Sequence, residues 1–258
     1  MDMSQYKLGK LVPKEDPRTL AFETFVIPGQ LPPVPDSVSW EDAIPNVIGN
    51  WPMMRNDRLG DCTCAAAGHM IECWTANNNN IYVPSDDSMV EAYSAVSGYN
   101  PTSFGSDHGA YIMDVMNYWR QTGIAGRQIT AFVKLRTGDS DQISQATALF
   151  GGSYIGLALP NTAKTQDVWD IDPTFGGTIA GVPGSWGLHA VPVVGYGNLG
   201  LTIVTWGDLK RMTWAFWKKY CDEAYAILSP DWFNEDRQAP DGYDVDTLMQ
   251  DLQIIAGN

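Results

Sequence analysis

Two closely spaced cysteines, Cys62 and Cys64, and one distant histidine, His189, are the residues best suited to covalent chemistry. Both cysteines lie at the predicted start of a helix, where the helix dipole and unpaired backbone N–H groups stabilise a thiolate. A thiol in such a setting, with a cationic partner, has a pKa of roughly 3.5–7.5 instead of about 8.5. His189 lies in GLHAVPVVGYG, a β-rich run that would hold its ring rigidly. The pattern is typical of a cysteine nucleophile whose base is brought to it by the fold.

The remaining histidines and cysteines do not suggest a metal site. His69 follows Cys62 by two helical turns on a similar face, and we predict that it is a hydrogen-bonded core histidine. His108, in SDHGAY, is predicted to lie in a loop. The short spacing of Cys62 and Cys64 within a helical setting differs from the usual ligand spacing of zinc sites. We therefore predict no metal and no organic cofactor.

The composition excludes several classes of partner. Sixteen Lys and Arg stand against thirty Asp and Glu, which gives a formal net charge of −14. Nucleic acids and anionic membrane surfaces select basic patches, so we predict neither as a partner. No apolar run reaches the ~20 residues of a membrane span, and the first residues lack the apolar stretch of a signal peptide. The sequence thus predicts a cytoplasmic or virion-associated protein, whose four cysteines do not form a disulfide framework.

The periodicity of the chain changes from helical to β-like near residue 150. Helices are predicted in CAAAGHMIECW, in SDDSMVEAYSAVSG, over residues 110–121, and in DSDQISQATALFGG. Strands are predicted in SYIGLALP, HAVPVVGYG, LTIVTWG and AYAILS, the second and third of which would form an antiparallel pair. Helices followed by strands indicate an α+β fold in two lobes.

Five stretches, in order along the chain, resemble the papain-like cysteine peptidase family. They are PDSVSW, RNDRLGDCTCAAAGH, SDHGAYIMDVMNYWRQTGI, HAVPVVGYG and VTWG, and the histidine strand is the most specific of them. The likeness is to a divergent bacterial or phage-type member. It implies a mostly helical left lobe over about residues 50–135. It also implies an antiparallel, β-rich right lobe over about residues 136–230, completed by the N-terminal strand.

The resemblance also divides the chain. Residues 36–230 form the papain-like domain, residues 1–35 precede it as an extended N-terminal arm, and residues 231–258 follow it as a C-terminal extension. The arm is Pro-rich and short for a folded inhibitory domain. We expect it to run as a belt over the surface or to cross the cleft between the lobes. The C-terminal extension is predicted to end in a short amphipathic helix.

The resemblance assigns roles on the helical side of the site. The string GDCT at residues 60–63 is similar to a Gly-Ser-Cys-Thr string of the family, which makes Cys62 the nucleophile. Six residues before it, where the family has a glutamine that donates to the oxyanion, this chain has Asn56. The alternative register makes Cys64 the nucleophile and places Arg58 at the oxyanion position.

The third catalytic position departs further from the family pattern. The family has an asparagine just before Ser-Trp-Gly, where it orients the histidine ring, and the aligned residue here is Val204. A valine cannot hydrogen-bond to an imidazole, so Thr205 or Asp208 is the predicted orienting residue. Trp206 is expected to stack beside His189 and shield the catalytic pair from water.

Two hypotheses from different classes follow. In the first, the protein is a thiol hydrolase that cleaves a peptide or amide bond of a peptide or protein substrate, using a Cys–His dyad and a thioester intermediate. In the second, it is a catalytically degenerate papain-like fold that serves as a structural or interaction protein, for example within a larger phage or viral assembly. Cys62 would then be a small buried residue of an Ala-rich helix.

Overall fold

The computed structural model describes residues 3–24, 33–45, 50–103, 105–234, 238–240 and 242 of the chain. The predicted amphipathic helix at the C-terminus lies outside these residues. Within the described ranges, every helix is too short or too polar to cross a membrane.

The described residues contain five α-helices, and four of them confirm the helices predicted from the sequence. In chain order they are α1 (Cys62–Asn77), α2 (Asp86–Ser97), α3 (Ile112–Gln121), α4 (Ser140–Phe150) and α5 (Trp214–Tyr220). Helix α5 was not predicted. Its aromatic residues recur every three or four positions, and this pattern was attributed to packing in the core. Its start is nevertheless signalled locally, since the hydroxyl of Thr213 accepts a hydrogen bond from the backbone N–H of Phe216.

Local capping explains where the second and fourth helices begin and end. The Ser85 hydroxyl accepts a hydrogen bond from the N–H of Ser88, and Gly98 ends α2 in the left-handed conformation with φ +75°. The Asp139 carboxylate likewise accepts from the N–H of Gln142 at the start of α4. Helix α1 differs, because Asp61 occupies its N-cap position without a capping hydrogen bond from its side chain. The start of α1 therefore depends on tertiary contacts.

The strands of the described residues form one mostly antiparallel sheet. Its strands are β1 (Val38–Ser39), β2 (Ala131–Lys134), β3 (Ser153–Leu159), β4 (Val168–Trp169), β5 (Gly187–Gly197), β6 (Gly200–Thr205), β7 (Asp208–Thr213) and β8 (Cys221–Leu228). They lie in the order β2-β8-β3-β5-β6-β7-β4, and β1 also pairs with β5. The predicted antiparallel pair of β5 and β6 is confirmed, and so is the α+β class. Strand β2 falls within the range predicted for the helical lobe, yet it pairs with β8 at the edge of the sheet.

Helix α1 packs between α2 and α3 on one side and the sheet on the other, and its side chains from Cys62 to Ala76 are all buried. On one side it shares an apolar core with α2 and α3, in which Trp74 stacks on Trp119 at a centroid distance of 5.6 Å. On the other side it contacts β5, the strand that carries His189. The packing of α1 thus fixes its first residue relative to the histidine strand.

Helix α1 contains a buried acidic residue, Glu72. The side chain of Glu72 is fully buried, and within the described part of the chain neither carboxylate oxygen has a hydrogen-bond partner. Burial raises the pKa of Glu72 from 4.5 to about 8. A carboxyl whose pKa is higher in the folded state stabilises the fold fully at low pH, and this contribution is lost as the pH rises.

Replacing Glu72 by glutamine should therefore remove a pH-dependent cost. We expect the unfolding free energy of the unmodified protein, measured against that of Glu72→Gln, to fall by about 3 kcal/mol between pH 5 and pH 8. Chemical denaturation of both proteins at the two pH values measures this difference. Because the two proteins share all other titrating groups, His69 and His189 cancel in the comparison. Parallel pH profiles would show that the Glu72 carboxylate is solvated or paired.

Candidate active site

Cys62 is the first residue of α1 and is almost fully buried, with a relative exposure of 1%. Burial raises the pKa of its thiol to about 11, and the nearby backbone amides of Ala190 and Gly9 oppose that increase. The sulfur therefore lies where three segments meet: the start of α1, strand β5 next to His189, and the N-terminal arm.

His189 is buried in β5, and one of its ring nitrogens is engaged in a hydrogen bond. Its Nε2 lies 2.8 Å from the hydroxyl oxygen of Thr205, the last residue of β6. Its Nδ1 has no hydrogen-bond partner among the described residues. Burial lowers the pKa of His189 to about 3, so the ring is neutral at physiological pH. Since the Ala190 amide lies at the Cys62 thiol, the thiol lies next to the residue that follows His189 in β5.

Trp206 covers the histidine ring. The two rings stack at a centroid distance of 4.4 Å and an interplanar angle of 18°. Trp206 follows β6 with φ +47°, a left-handed conformation that a non-glycine residue adopts at an energetic cost. The indole also stacks on Tyr6 of the N-terminal arm at 5.2 Å. Trp206 thus covers one face of the His189 ring.

Asn56 lies close to the start of α1, but its side-chain amide is already engaged. The amide nitrogen donates to the carbonyl oxygen of Leu59 at 3.1 Å and to Oδ1 of Asp61 at 3.2 Å. Asp61 is completely buried, and burial raises the pKa of its carboxyl well above its ordinary value. Asn56 therefore holds the residue before Cys62, and it would have to exchange a partner before it could donate to an oxyanion.

The alternative candidates lie in less suitable surroundings. Cys64 is buried within the helical core, where desolvation raises the pKa of its thiol well above the ordinary value. The Arg58 guanidinium is three-quarters exposed and pairs with Asp57. Asp208 is exposed and accepts a hydrogen bond from the N–H of Leu209, so the group that reaches His189 is the Thr205 hydroxyl.

The other two histidines lie away from this chemistry. The Nε2 of His69 is 2.8 Å from the carbonyl oxygen of Pro52, and the buried ring meets Trp51 edge-on. Burial lowers the pKa of His69 to about 4. The prediction of a hydrogen-bonded core histidine is confirmed. His108 is exposed in the loop between α2 and α3, also as predicted.

The N-terminal arm runs directly over the site. The carbonyl oxygen of Gly9 accepts a hydrogen bond from Ala110 N–H at 2.8 Å, and the N–H of Leu11 donates to Ala110 at 3.0 Å. The N–H of Lys10 donates to the carbonyl oxygen of Leu188, the residue before His189, at 3.3 Å. Residues 9–11 of the arm are thus joined both to Ala110, just before α3, and to the histidine strand β5.

Glycines allow the backbone of the arm to approach the two turns beside it closely. A Cβ atom on Gly9 would lie 1.8 Å from the carbonyl oxygen of Gly60, and one on Gly109 would lie 2.1 Å from the carbonyl oxygen of Gly9. The two turns that flank the arm are joined through Asp107 and Tyr93. Asp107 accepts from Gly60 N–H at 3.0 Å and from the Tyr93 hydroxyl, which in turn accepts from Gly109 N–H at 2.8 Å.

The sequence did not indicate the parts of this site that come from distant segments. Gly9 and Lys10 lie in an arm without periodicity, and Asp61 and Tyr93 resemble an ordinary helix cap and an ordinary core residue. The available signal was the pair of glycines in GDC and HGA, each beside a predicted helix start, which marked two places of close backbone approach.

Comparison with solved structures places the whole arrangement in a known fold. Xylellain, a cysteine protease from Xylella fastidiosa, superimposes with a TM-score of 0.63 at 16% identity, over 87% of this chain and 97% of its own. Procathepsin B S9 from Trypanosoma congolense gives 0.58 at 12% identity, over 89% and 88%. The cysteine protease and lectin-like domains of Cwp84 from Clostridium difficile give 0.57 at 13% identity, over 91% and 58%. The chain thus has a papain-like cysteine protease fold.

Sequence comparison adds nothing to this likeness. No protein-family model matches the chain, and no curated protein matches it. The resemblance of the five motifs to the papain-like family is therefore supported by the fold.

If the arm blocks access to Cys62, then a side chain at Gly109 should expose the thiol. An alanine there must displace Gly9, so we expect Gly109→Ala to increase the alkylation rate of Cys62 by about tenfold or more. Peptide mass spectrometry after a timed iodoacetamide pulse measures this rate.

Gly98→Ala is the matched control. Gly98 has nearly the same φ as Gly109, +75° against +81°, but a Cβ there meets open space. Both variants should lose roughly 1–2 kcal/mol of stability from the left-handed backbone, whereas only Gly109→Ala should expose Cys62. Equal alkylation rates in the two variants would contradict a blocking role for the arm.

Proposed function

We propose that the protein is a thiol hydrolase that cleaves a peptide or amide bond through Cys62 and His189. The observation that carries the proposal is the setting of His189: Nε2 is held by Thr205, Nδ1 has no hydrogen-bond partner among the described residues, and the backbone amide of the next residue, Ala190, lies at the Cys62 thiol. This is the arrangement that a base needs in order to take a proton from a thiol and pass it on. The papain-like fold supports the same reaction class.

The proposed reaction uses these groups in turn. The Cys62 thiol gives its proton to Nδ1 of His189, and the sulfur attacks the carbonyl carbon of the substrate. The imidazolium then protonates the leaving nitrogen as the C–N bond breaks, which leaves a thioester on Cys62. A water molecule, deprotonated by the neutral ring, hydrolyses the thioester and restores the thiol.

The start of α1 supplies the stabilisation of the tetrahedral oxyanion. The first backbone N–H groups of a helix have no partner within the helix, and the helix dipole favours negative charge at this end. The N–H of Cys62 is one such group. The amide of Asn56 becomes a second donor if it exchanges its bond to Leu59 or to Asp61.

The arm determines the resting state of the pair. With the arm seated, the thiol pKa is raised to about 11 and the imidazole pKa is lowered to about 3, so both groups are neutral. Departure of residues 3–11 would admit water, reduce both desolvation costs and favour the thiolate–imidazolium pair. The proposed enzyme is therefore inactive in this conformation and active after the arm has moved.

A substitution at Thr205 tests the role of its hydroxyl. In the arm-displaced Gly109→Ala background, we expect Thr205→Val to lower kcat for a fluorogenic peptide by about tenfold, because one hydrogen bond to the ring is lost. Thr205→Ser keeps the hydroxyl and should retain most of the activity. Equal activity of the valine and serine variants would contradict the assignment.

The same assay separates the enzyme from a non-catalytic module. The neutral pair and the engaged Asn56 amide also suit a papain-like fold kept for a structural or interaction role. Hydrolysis that disappears in Cys62→Ala and in His189→Ala supports the enzyme. If the Gly109→Ala protein exposes Cys62 but hydrolyses no peptide in a diverse library, the second hypothesis is favoured.

A further inference from the structure

Lys10 inserts its side chain into a deep pocket beside the candidate site. Its ammonium is completely buried, 2.9 Å from Oδ2 of Asp222 and 2.8 Å from Oε1 of Glu223. It also donates to the carbonyl oxygen of Leu11 at 3.1 Å. Two carboxylates therefore hold the buried ammonium. Such a contact differs from an exposed salt bridge, which contributes little to the attachment of a surface segment.

The backbone of the sheet makes room for this side chain. A Cβ atom on Gly156 would lie 2.1 Å from Cε of Lys10, so only glycine is compatible with the lysine in its place. Gly156 is paired with Glu223 across β3 and β8, and the register shifts directly after it. The space for a long unbranched side chain is thus built into the sheet beneath the arm.

The charge of the pocket requires an occupant. The Glu223 side chain is 2% exposed, and apart from Lys10 its polar contact is the hydroxyl of Tyr225, which donates to Oε2 at 3.0 Å. Asp222, with 21% exposure, adds a second negative charge at the rim. A buried carboxylate that loses its cation is strongly destabilised, so anything that replaces the arm must supply a positive charge.

The backbone on either side of the Lys10 side chain contacts the candidate site. Gly9, the residue before Lys10, lies with its amide at the Cys62 thiol, and the Lys10 N–H binds Leu188 next to His189. An extended peptide that follows the path of the arm over Cys62 would therefore place one of its side chains in this pocket.

We propose that the pocket formed by Gly156, Asp222 and Glu223 selects a lysine side chain of an extended peptide bound over Cys62. Lys10 occupies this pocket as an intramolecular mimic. The inference rests on the proposed function, because it identifies peptides with a basic residue close to the cleaved bond as the substrate class. The net charge of −14 favours the approach of such peptides.

Binding can be measured without any hydrolysis. The probe is a fluorescein-labelled pentapeptide, Leu-Gly-Lys-Leu-Val, which copies residues 8–12, and its matched partner has norleucine in place of the lysine. The protein is the full chain with two substitutions: Lys10→Met weakens the binding of the arm, and Cys62→Ala prevents turnover. This protein is titrated against each of the two peptides, and binding is followed by fluorescence polarisation. We expect the lysine peptide to bind about tenfold or more tightly than the norleucine peptide.

Variants of the pocket complete the test. Glu223→Gln keeps an acceptor for the Tyr225 hydroxyl but removes the buried charge, and it should reduce the preference for lysine to about threefold or less. If that variant does not fold, as judged by thermal unfolding, Asp222→Asn at the partly exposed rim should lower the same preference. Equal binding of the two peptides to the Lys10→Met protein, or an unchanged preference in the folded pocket variants, overturns the proposal.

A hydrolysis assay separates this inference from the proposed function. The Lys10→Met protein with Cys62 intact is incubated with a peptide library, and the cleavage sites are mapped by mass spectrometry. Cleavage at one fixed distance from a basic residue supports both claims. Cleavage without any basic preference overturns the pocket inference and leaves the hydrolase. Lysine-selective binding without cleavage supports the pocket and contradicts the hydrolase.

Discussion

The contact between the first turn of α1 and strand β5 is the constraint on which the site depends. It places the Cys62 thiol at the backbone of Ala190, one residue from His189, and it does so inside a closely packed interior. Because Asp61 does not cap the helix with its side chain, this tertiary contact decides where the helix start lies. The chemistry of the site is thus set by packing between the helical half and the sheet.

The burial of that contact shifts the pKa values of the two candidate groups in opposite directions. Burial favours the neutral form of each, which raises the pKa of the thiol and lowers the pKa of the imidazole. Trp206 and the arm maintain this state from two sides, since Trp206 stacks both on His189 and on Tyr6. In the proposed mechanism, a sealed site with two neutral groups and an open site with a thiolate–imidazolium pair are alternatives, and the position of residues 3–11 decides between them.

Local sequence signals were sufficient for much of the fold and for part of the site. The predicted helix in SDDSMVEAYSAVSG is present as α2, bounded by Ser85 and Gly98, because capping is a property of a few adjacent residues. The two-residue strand β4 carries no such signal, because it is defined by its parallel pairing with β7 rather than by its own residues. For the histidine partner, the sequence left Thr205 and Asp208 open. In the structure, the hydroxyl of Thr205 reaches the ring, just before the turn at Trp206.

Contacts between segments far apart in the chain were beyond such reasoning. Lys10 gave no sign of its burial, because its partners Asp222 and Glu223 lie more than two hundred residues away and resemble surface charges beside a strand. Asn56 illustrates a different limit. Its type and spacing match an oxyanion donor, but the neighbouring carboxylate of Asp61 uses the same amide hydrogens.

The covalent attachment of the arm has a kinetic consequence. The segment that covers Cys62 belongs to the same chain as β1, which pairs with β5, the strand of His189. A tethered segment of this kind returns to its seat at an effective concentration on the order of millimolar, independent of how dilute the protein is. A free peptide must therefore exceed that local concentration in order to enter. If the chain were cut between the arm and β1, rebinding of the arm would become a bimolecular step. The arm would then compete with free peptides according to its own concentration in solution.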